Sequence, residues 1–398
     1  MHTEEPLNRS ISIAAALVLA ALTVPAAWAQ SQGVAKDEIA IGTIQDLSGP
    51  IAAYGKQARN GLQMRADELN EQGGVRGRKI RLVVEDNGYD PKKALLAAQK
   101  LATGDQVFAI LGHIGTAPNM AAMPVQFERN VINFMPLTGA RQMFDPFHKL
   151  KFALSPPYYD QMRVIVPQFV KEKGLKRVGI LYQDDEFGLE VLRGVEAGLK
   201  TLDMQLVEKT SFKRGATDFS SQVARLKAAE CDLVVMGTIV RETVGAMAEA
   251  RKTGFEPQYL GSNALYSHLV HVLGGKAVEG LYGVLTVPHP YPDDQSKAVR
   301  DWAAKYKAKF GEDATVFSVY GYSIMELFAK AADKAGPNLS TDGFINAMET
   351  TVFASDMFGS PEVRITKTNR LGMNEVRIAQ IQNGKWVAIS KFIEVRPE

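Results

Sequence analysis

The feature that most constrains the fold of this chain is the regular alternation of short apolar strands with amphipathic helices. Residues 39–44 form an apolar run that ends at the loop 47–50, which contains Ser, Gly and Pro. Apolar residues then recur at helical spacing across 58–69, and Gly73-Gly74 separates this helix from a second apolar run, 82–84. This is one βαβ unit, and the loop after its first strand lies at the edge where open parallel sheets bind ligands.

The same alternation continues along almost the whole chain. Further strands are predicted over 81–86, 107–112, 131–136, 151–156, 177–183, 205–212, 231–237, 258–263 and 280–287. Further helices are predicted over 91–101, 117–129, 158–173, 188–201, 217–229, 240–253, 266–273, 294–310 and 317–335. A hairpin is predicted over 375–389 around Asn383-Gly384. We therefore expect an α/β fold with parallel sheets covered by helices on both faces.

Two such series in a chain of 398 residues predict two Rossmann-like lobes. The alternating pattern is lost near 154–158, 287–292 and 352–361, which predicts three hinge segments where the chain crosses between the lobes. The expected division is an N-lobe of 36–154 plus 288–355 and a C-lobe of 155–287 plus 356–398.

The first 29 residues have the pattern of a secretory signal peptide. Arg9 precedes the apolar run 11–24, Pro25 closes that run, and Ala27-Trp28-Ala29 has the small-residue pattern of a cleavage site. The run is shorter than the ~20 apolar residues of a membrane-spanning helix, which makes a membrane anchor the weaker alternative. We expect an exported protein that is cleaved after Ala29.

The sequence contains no motif for catalysis or nucleic-acid binding. G-x-S-x-G, H-E-x-x-H and G-x-G-x-x-G are absent, and the formal net charge of +2 provides no strong attraction for nucleic acid. Gly49 and Gly55-Lys56 resemble a P-loop, but five residues separate the glycines and Gln57 replaces the magnesium-binding Ser or Thr. We expect neither an enzyme nor a cofactor nor a nucleic-acid partner.

Candidate metal ligands are scattered. Asp184-Asp185-Glu186 begins a helix, where acidic residues are favoured without any metal. His268 and His271 lie one helical turn apart without a third ligand, so we expect them on a solvated helix face. The single cysteine, Cys231, lies in an apolar strand and is expected to be a buried small hydrophobe. The sequence therefore predicts no metal site and no disulfide.

Two loops have the pattern of an anion-binding site. Gly112-His113-Ile114-Gly115-Thr116 follows a predicted strand and begins a helix, and Pro136-Leu137-Thr138-Gly139 follows the neighbouring strand. Free backbone N–H groups at a helix start, together with hydroxyls, bind carboxylates and phosphates. The alternative for Thr116 is a helix N-cap without a ligand.

The chain resembles the type I periplasmic solute-binding proteins of the leucine/isoleucine/valine kind. The resemblance rests on Ser48-Gly49-Pro50 with Tyr54-Gly55, and on Asn70 followed by Gly73-Gly74, and it extends over the expected mature chain. It implies two lobes joined by three segments, a ligand in the cleft between them, and location in the periplasm. It also implies an inner-membrane ABC permease as partner, and we expect a monomer.

The resemblance further implies which residues line the cleft. The two loops would hold a ligand carboxylate through His113 and Thr116 in the first loop, and through Leu137, Thr138 and Gly139 in the second. Tyr54, Phe187 and Phe317 match aromatic positions of the cleft, although ordinary packing on a helix face is the alternative for Phe187 and Phe317. Arg241 could reach the cleft or lie on a solvated helix start.

Two positions depart from the amino-acid-binding members of the family. Asn263 replaces an acidic residue that pairs with the ligand ammonium, and Ile239 replaces a tyrosine beside it. The N-lobe disulfide of the family is also missing, with Tyr89 and Gly115 near its expected positions. Removing one partner of a buried charge pair costs ~3–5 kcal/mol. We therefore expect a small carboxylate ligand without an α-ammonium group, such as an aromatic acid of the benzoate or phenylpropanoid kind.

Three alternatives stay open at this point. One is a branched-chain amino-acid-binding protein in which another acid, such as Asp184 or Asp185, replaces the missing one. Another is a sensory protein of the same fold, and the third is an exported enzyme whose catalytic cluster is not visible in the sequence.

Overall fold

The strands and helices alternate as the sequence pattern predicts. The computed structural model describes residues 1–2 and 31–398. The strands are β1 (Glu38–Gln45), β2 (Lys79–Asp86), β3 (Ala109–Leu111), β4 (Ile132–Phe134), β5 (Lys151–Phe152), β6 (Val178–Gln183), β7 (Glu208–Phe212), β8 (Leu233–Gly237), β9 (Gln258–Gly261), β10 (Tyr282–Leu285), β11 (Val352–Phe353), β12 (Val363–Arg364), β13 (Glu375–Gln382), β14 (Lys385–Ala388) and β15 (Ile393–Glu394). The α-helices are α1 (Ala52–Glu71), α2 (Pro91–Gln99), α3 (Thr116–Glu128), α4 (Tyr158–Lys173), α5 (Glu186–Lys200), α6 (Ser220–Ala228), α7 (Val240–Lys252), α8 (His268–Gly274), α9 (Lys297–Phe310), α10 (Val316–Ala335) and α11 (Thr341–Thr350).

The first five strands form one parallel sheet in the order β2-β1-β3-β4-β5. The central strands are buried and mostly apolar, as expected of a parallel sheet covered by helices. Helix α1 packs against α10, which comes from much later in the chain, and Phe344 of α11 packs against Phe134 with ring centroids 5.4 Å apart. The chain therefore returns to the first sheet after building the second.

The second sheet has the order β14-β13-β10-β9-β8-β6-β7, with β15 paired to β13. Strands β6 to β10 are parallel, whereas β13 runs antiparallel to β10 and β14 antiparallel to β13. The β13–β14 hairpin turns at Asn383 and Gly384, whose φ angles of 53° and 71° are those of a type I′ turn. The tail hairpin thus closes one edge of this sheet.

The predicted fold class is confirmed: two Rossmann-like lobes lie side by side and the chain crosses between them three times. The sequence pattern did not predict the antiparallel edge of the second sheet, the β11–β12 pair or helix α11. Helix α11 begins at the N-cap Ser340, whose side chain accepts a hydrogen bond from the N–H of Gly343. The lobe boundaries given above stay a prediction.

Among the described residues, no helix is long and apolar enough to cross a membrane. The signal-peptide prediction falls on residues 1–29, nearly all of which lie outside the described part of the chain.

Candidate functional site

A cavity lies between the two lobes, at the carboxyl ends of the strands of both sheets. Its void measures about 650 Å³, including the open space at its mouth. The lining residues are Ile51, Tyr54, Tyr89, Ile114, Gly115, Thr116, Pro136, Leu137, Thr138, Gly139, Leu154, Ser155, Tyr158, Phe187, Ile239, Asn263, Ala264, Phe317 and Tyr320. Nine of the ten ligand-contact residues predicted from the sequence are in this set.

The two N-lobe loops meet at one wall of the cavity. Ile114 and Leu137 pair as a short parallel bridge, and the N–H of Gly115 donates to the carbonyl of Leu137 at 3.3 Å. The Thr116 Oγ1 and Thr138 Oγ1 atoms lie 2.6 Å apart, so one hydroxyl donates to the other. The second hydroxyl keeps its proton free to donate to a ligand.

Helix α3 begins at this wall without a side-chain cap. Its N-cap is Gly115, with φ 96°, and Thr116 is the first helical residue. Within the described part of the chain, the N–H groups of Thr116 and Ala117 make no hydrogen bond. The first N–H of this helix to find a backbone acceptor is that of Asn119, which donates to Gly115 at 3.2 Å. The N-cap alternative for Thr116 is therefore wrong, and the helix start retains free donors at the cavity.

The prediction that His113 contacts the ligand is corrected by the structure, because its side chain does not line the cavity. The residue is fully buried, and its carbonyl accepts hydrogen bonds from the Leu137 N–H at 2.9 Å and from the Asn119 side chain at 2.8 Å. The imidazole Nε2 lies 3.4 Å from the amide of Asn87, on the inner side of the loop. Burial lowers the pKa of His113 to about 3. His113 thus supports the loop as a neutral residue.

Aromatic rings also line the cavity. Tyr54 and Phe317 are stacked with centroids 3.8 Å apart, and Tyr158 meets Phe187 edge to face at 5.0 Å. The hydroxyl of Tyr54 donates to the carbonyl of Ala264 at 3.2 Å, which joins the N-lobe to the C-lobe across the cavity. The ordinary-packing alternative for Phe187 and Phe317 is incomplete, since both rings are packed and also border the void.

Sequence reasoning missed three tyrosines of this lining. Tyr320 lies one helical turn after Phe317, so the helical period could have revealed it. Tyr158 follows the first crossing and approaches the second loop, where its N–H donates to the carbonyl of Gly139 at 2.6 Å. Tyr89 packs over Gly115, whose added Cβ would lie 2.8 Å from the Tyr89 ring, so the ring fills the region where the family disulfide was expected.

The C-lobe wall is neutral. Asn263 and Ile239 line the cavity, as predicted, and none of the lining residues is Asp, Glu, Lys, Arg or His. Arg241 is exposed and lies outside the lining, so its alternative on a solvated helix start is the one observed.

The acids considered as substitutes are not in the cavity lining. Asp184 is exposed, and Asp185 accepts hydrogen bonds from the N–H groups of Phe187 and Gly188 and pairs with Arg214 at 2.7 Å. A buried carboxyl, Glu242, lies in the first turn of α7, and burial raises its pKa. It too is outside the lining.

The remaining candidates for chemistry have structural surroundings. Among the described residues, no group of three His, Cys, Asp or Glu side chains is arranged to hold a metal ion. His268 is not on a solvated face as expected, because it stacks on His289 at 5.4 Å, and burial lowers its pKa to about 4. Cys231 is buried, and burial raises its thiol pKa to about 11, which keeps the thiol protonated and unreactive.

Comparison with known proteins gives a matching sequence family, related sequences and similar solved structures. Residues 38–385 match the sequence family described as periplasmic binding protein. The Leu/Ile/Val-binding protein of Escherichia coli (strain K12) is 26% identical over 306 residues, which cover 77% of this chain and 81% of that protein. A fatty acid ABC transporter substrate-binding protein from Thermomonospora curvata superposes with a TM-score of 0.82 at 25% identity, covering 92% of this chain and 94% of that one.

A solute-binding protein of an ABC transporter from R. palustris, solved in complex with benzoate, superposes with a TM-score of 0.78. The superposition covers 88% of this chain and 95% of that one at 18% identity, and therefore shows a shared fold.

Proposed function

This chain belongs to the periplasmic binding protein family, and from that premise we propose that it is the substrate-binding component of an ABC importer whose ligand is a small apolar carboxylate without an α-ammonium group. The observation that carries the proposal is the charge of the cavity: its lining contains hydroxyls, backbone N–H groups and aromatic rings, and no acidic side chain. A ligand cation would be buried there without a partner, at a cost of several kcal/mol.

The carboxylate site is the N-lobe wall. Two free N–H groups at the start of α3 and one hydroxyl proton of the Thr116–Thr138 pair supply three donors. The positive end of the helix dipole adds to them, which explains how a carboxylate is held without a lysine or arginine. Hydrogen bonds from neutral donors to a charged acceptor contribute about 1.5–3 kcal/mol each.

The aromatic rings favour a flat apolar body on the ligand. The Tyr54–Phe317 stack and the Tyr158–Phe187 pair face the void from different sides. Aromatic side chains prefer offset-stacked or edge-to-face contacts, worth about 0.5–1.5 kcal/mol beyond the area they bury. A benzoate- or phenylpropanoid-type acid would use both geometries.

Transport follows from closure of the two lobes. The cavity is built from both lobes, so a ligand that contacts both stabilises the closed state over the open one. A membrane permease can then distinguish the loaded protein by its shape. We expect a monomer in solution. In a sensory role the same closed state would be recognised by a signalling partner instead of a permease.

A branched-chain amino acid is the second candidate ligand. It is favoured by the Leu/Ile/Val-binding relative, and by the buried carboxyl of Glu242 in the C-lobe. Glu242 is not a lining residue, so pairing with a ligand ammonium would require its carboxyl to reach the cavity.

The test uses a matched pair of ligands that differ only by the amine. We expect 3-phenylpropionate to bind at least roughly tenfold tighter than phenylalanine in calorimetry, a difference of about 1.4 kcal/mol. A thermal-shift screen of carboxylic and amino acids precedes the titration, because a ligand at 100 times its Kd stabilises by ~2.7 kcal/mol. Tight binding of leucine or phenylalanine, abolished by Glu242→Gln, would establish the second candidate instead.

A further inference from the structure

The side chain of Gln161 is held in one orientation by backbone groups of fixed character. Gln161 is fully buried, its Oε1 accepts from the backbone N–H of Asn263 at 3.1 Å, and its Nε2 donates to the carbonyl of Pro156 at 2.8 Å. A backbone N–H can only donate and a backbone carbonyl can only accept. Reversing the Gln161 amide would break both bonds, so its orientation is determined.

The orientation of the Gln161 amide in turn determines the orientation of the Asn263 side-chain amide. The Nε2 of Gln161 also donates to the side chain of Asn263, at 3.0 Å. The Asn263 atom at that distance must be an acceptor, which is Oδ1, because the opposite flip would place two NH₂ groups against each other. The Nδ2 donor of Asn263 is left without a partner among the described residues, on a side chain that lines the cavity.

We propose that the Asn263 amide selects ligands that carry an acceptor oxygen in addition to the carboxylate, so that the substrate class is oxo, hydroxy or ether acids. The proposal rests on the carboxylate-binding function given above. The amide donor would be desolvated when the lobes close, and a ligand oxygen replaces the water it loses. Failure to pair a desolvated donor weakens binding, which is how a polar site rejects a ligand lacking the matching group.

The same geometry works against an amino acid. An ammonium group has three donors and no acceptor, so it would face the Asn263 donor with nothing to receive its protons. Gln161 is a positioning residue in this scheme, since it keeps the Asn263 oxygen turned away from the void.

The experiment is calorimetry with two series of acids on constant skeletons. The phenyl series is 3-phenylpropionate, phenylpyruvate, phenyllactate and 3-(4-hydroxyphenyl)propionate, with phenylalanine as the ammonium member. The branched series is 4-methylpentanoate, its 2-oxo and 2-hydroxy derivatives, and leucine. We expect at least one oxygen-bearing acid to bind about fivefold or more tighter than its parent acid, the scale of one added hydrogen bond. Which member gains locates the oxygen that Asn263 contacts.

The variant Asn263→Asp replaces the free donor by an acceptor and keeps an oxygen for Gln161. An oxo or ether oxygen can only accept, so for an oxo acid, or for the methyl ether of a preferred hydroxy acid, we expect the ratio of its affinity to that of the parent acid to fall to one or below. We expect phenylalanine or leucine to gain at least tenfold. Asn338→Asp makes the same chemical change at an exposed asparagine and should leave every ratio unchanged. Thermal unfolding of each variant verifies that it is folded.

The outcomes separate the two proposals. If the parent acids bind as tightly as every oxygen-bearing analogue, or if the preference for an acceptor-only oxygen (oxo or ether) survives Asn263→Asp, the role of Asn263 is wrong and the carboxylate-binding function stands. If amino acids bind best to the unmodified protein, or no acid of either series binds, the proposed function fails and the role of Asn263 fails with it.

Discussion

In the proposed carboxylate site, Thr116 and Thr138 supply single hydroxyls. Their Oγ1 atoms share one hydrogen bond at 2.6 Å, and both are buried at the cavity wall. The pair holds one proton between its oxygens and leaves one for a ligand. The proposed site would therefore depend on both residues.

Removing the Thr116 hydroxyl should weaken ligand binding. Thr116→Val keeps the shape of the side chain and removes its donor, so we expect a loss of about 1–2 kcal/mol, or roughly 5- to 30-fold in Kd by calorimetry. Thr116→Ser restores the hydroxyl and should recover most of the affinity. Thr368→Val makes the same change at an exposed threonine and serves as control. Unchanged affinity in Thr116→Val would show that the hydroxyl makes no ligand contact.

At the residue scale, the sequence allowed us to predict which residues line the cavity but not how their side chains are oriented. Thr116 and Thr138 were predicted at the cavity from their positions after strands, and Asn263 from the family resemblance. The bond from Gln161 to Asn263 joins residues 102 positions apart, and no local pattern reveals it. The prediction that His113 contacts the ligand was wrong for the same reason. The sequence showed its position in the loop but not the direction of its side chain.

At the scale of elements, the close approach of α1 and α10 determines where two cavity rings lie. Gly61 and Gly321 permit this approach: a Cβ added at Gly61 would lie 2.0 Å from the carbonyl oxygen of Ser318, and one at Gly321 would lie 2.1 Å from that of Ala58. These helices carry Tyr54 and Phe317 to the cavity, where the two rings stack. The close packing of α1 against α10 therefore also determines the relative position of the Tyr54 and Phe317 rings at the cavity.

Filling this contact should destabilise the fold. In Gly321→Ala the new methyl group meets backbone atoms, which cannot rotate away, so we expect a loss of about 2–3 kcal/mol in the free energy of unfolding by urea. Gly104→Ala is the control, because its Cβ would have ordinary contact only and the change should be neutral or slightly stabilising. If both variants unfold at the same urea concentration, α1 and α10 are not as close as described.

The elements were predictable where their periodicity is strong. Helix 158–173 and the tail hairpin lie where the pattern placed them. Helix α11 was not predicted, because its first turn contains the poor helix formers Thr341, Asp342 and Gly343. Two signals for it were present: Ser340 as the N-cap, and the helical spacing of the apolar Phe344 and Met348. The antiparallel pairing of β13 with β10 could not be read from the sequence, since it depends on which sheet edge was left open.

At the scale of the molecule, the two lobes touch across the cavity. Tyr54 of the N-lobe donates to Ala264 of the C-lobe at 3.2 Å. Arg214 of the C-lobe donates to the Tyr89 carbonyl at 3.2 Å, and its guanidinium lies 4.9 Å from the centre of the Tyr89 ring. Opening of the cleft would break these bonds. In the proposed function, a ligand that contacts both lobes would shift the equilibrium between open and closed states.

Small-angle scattering with and without ligand tests the central claim, closure of two lobes around a bound solute, most directly. The ligand is whichever acid binds most tightly in calorimetry, at a concentration where the site is saturated. We predict a smaller radius of gyration with ligand than without, because the free protein populates open states that the ligand removes. Identical scattering profiles at proven saturation would contradict the account, since the cleft would then be rigid and a permease would have no change of shape to recognise.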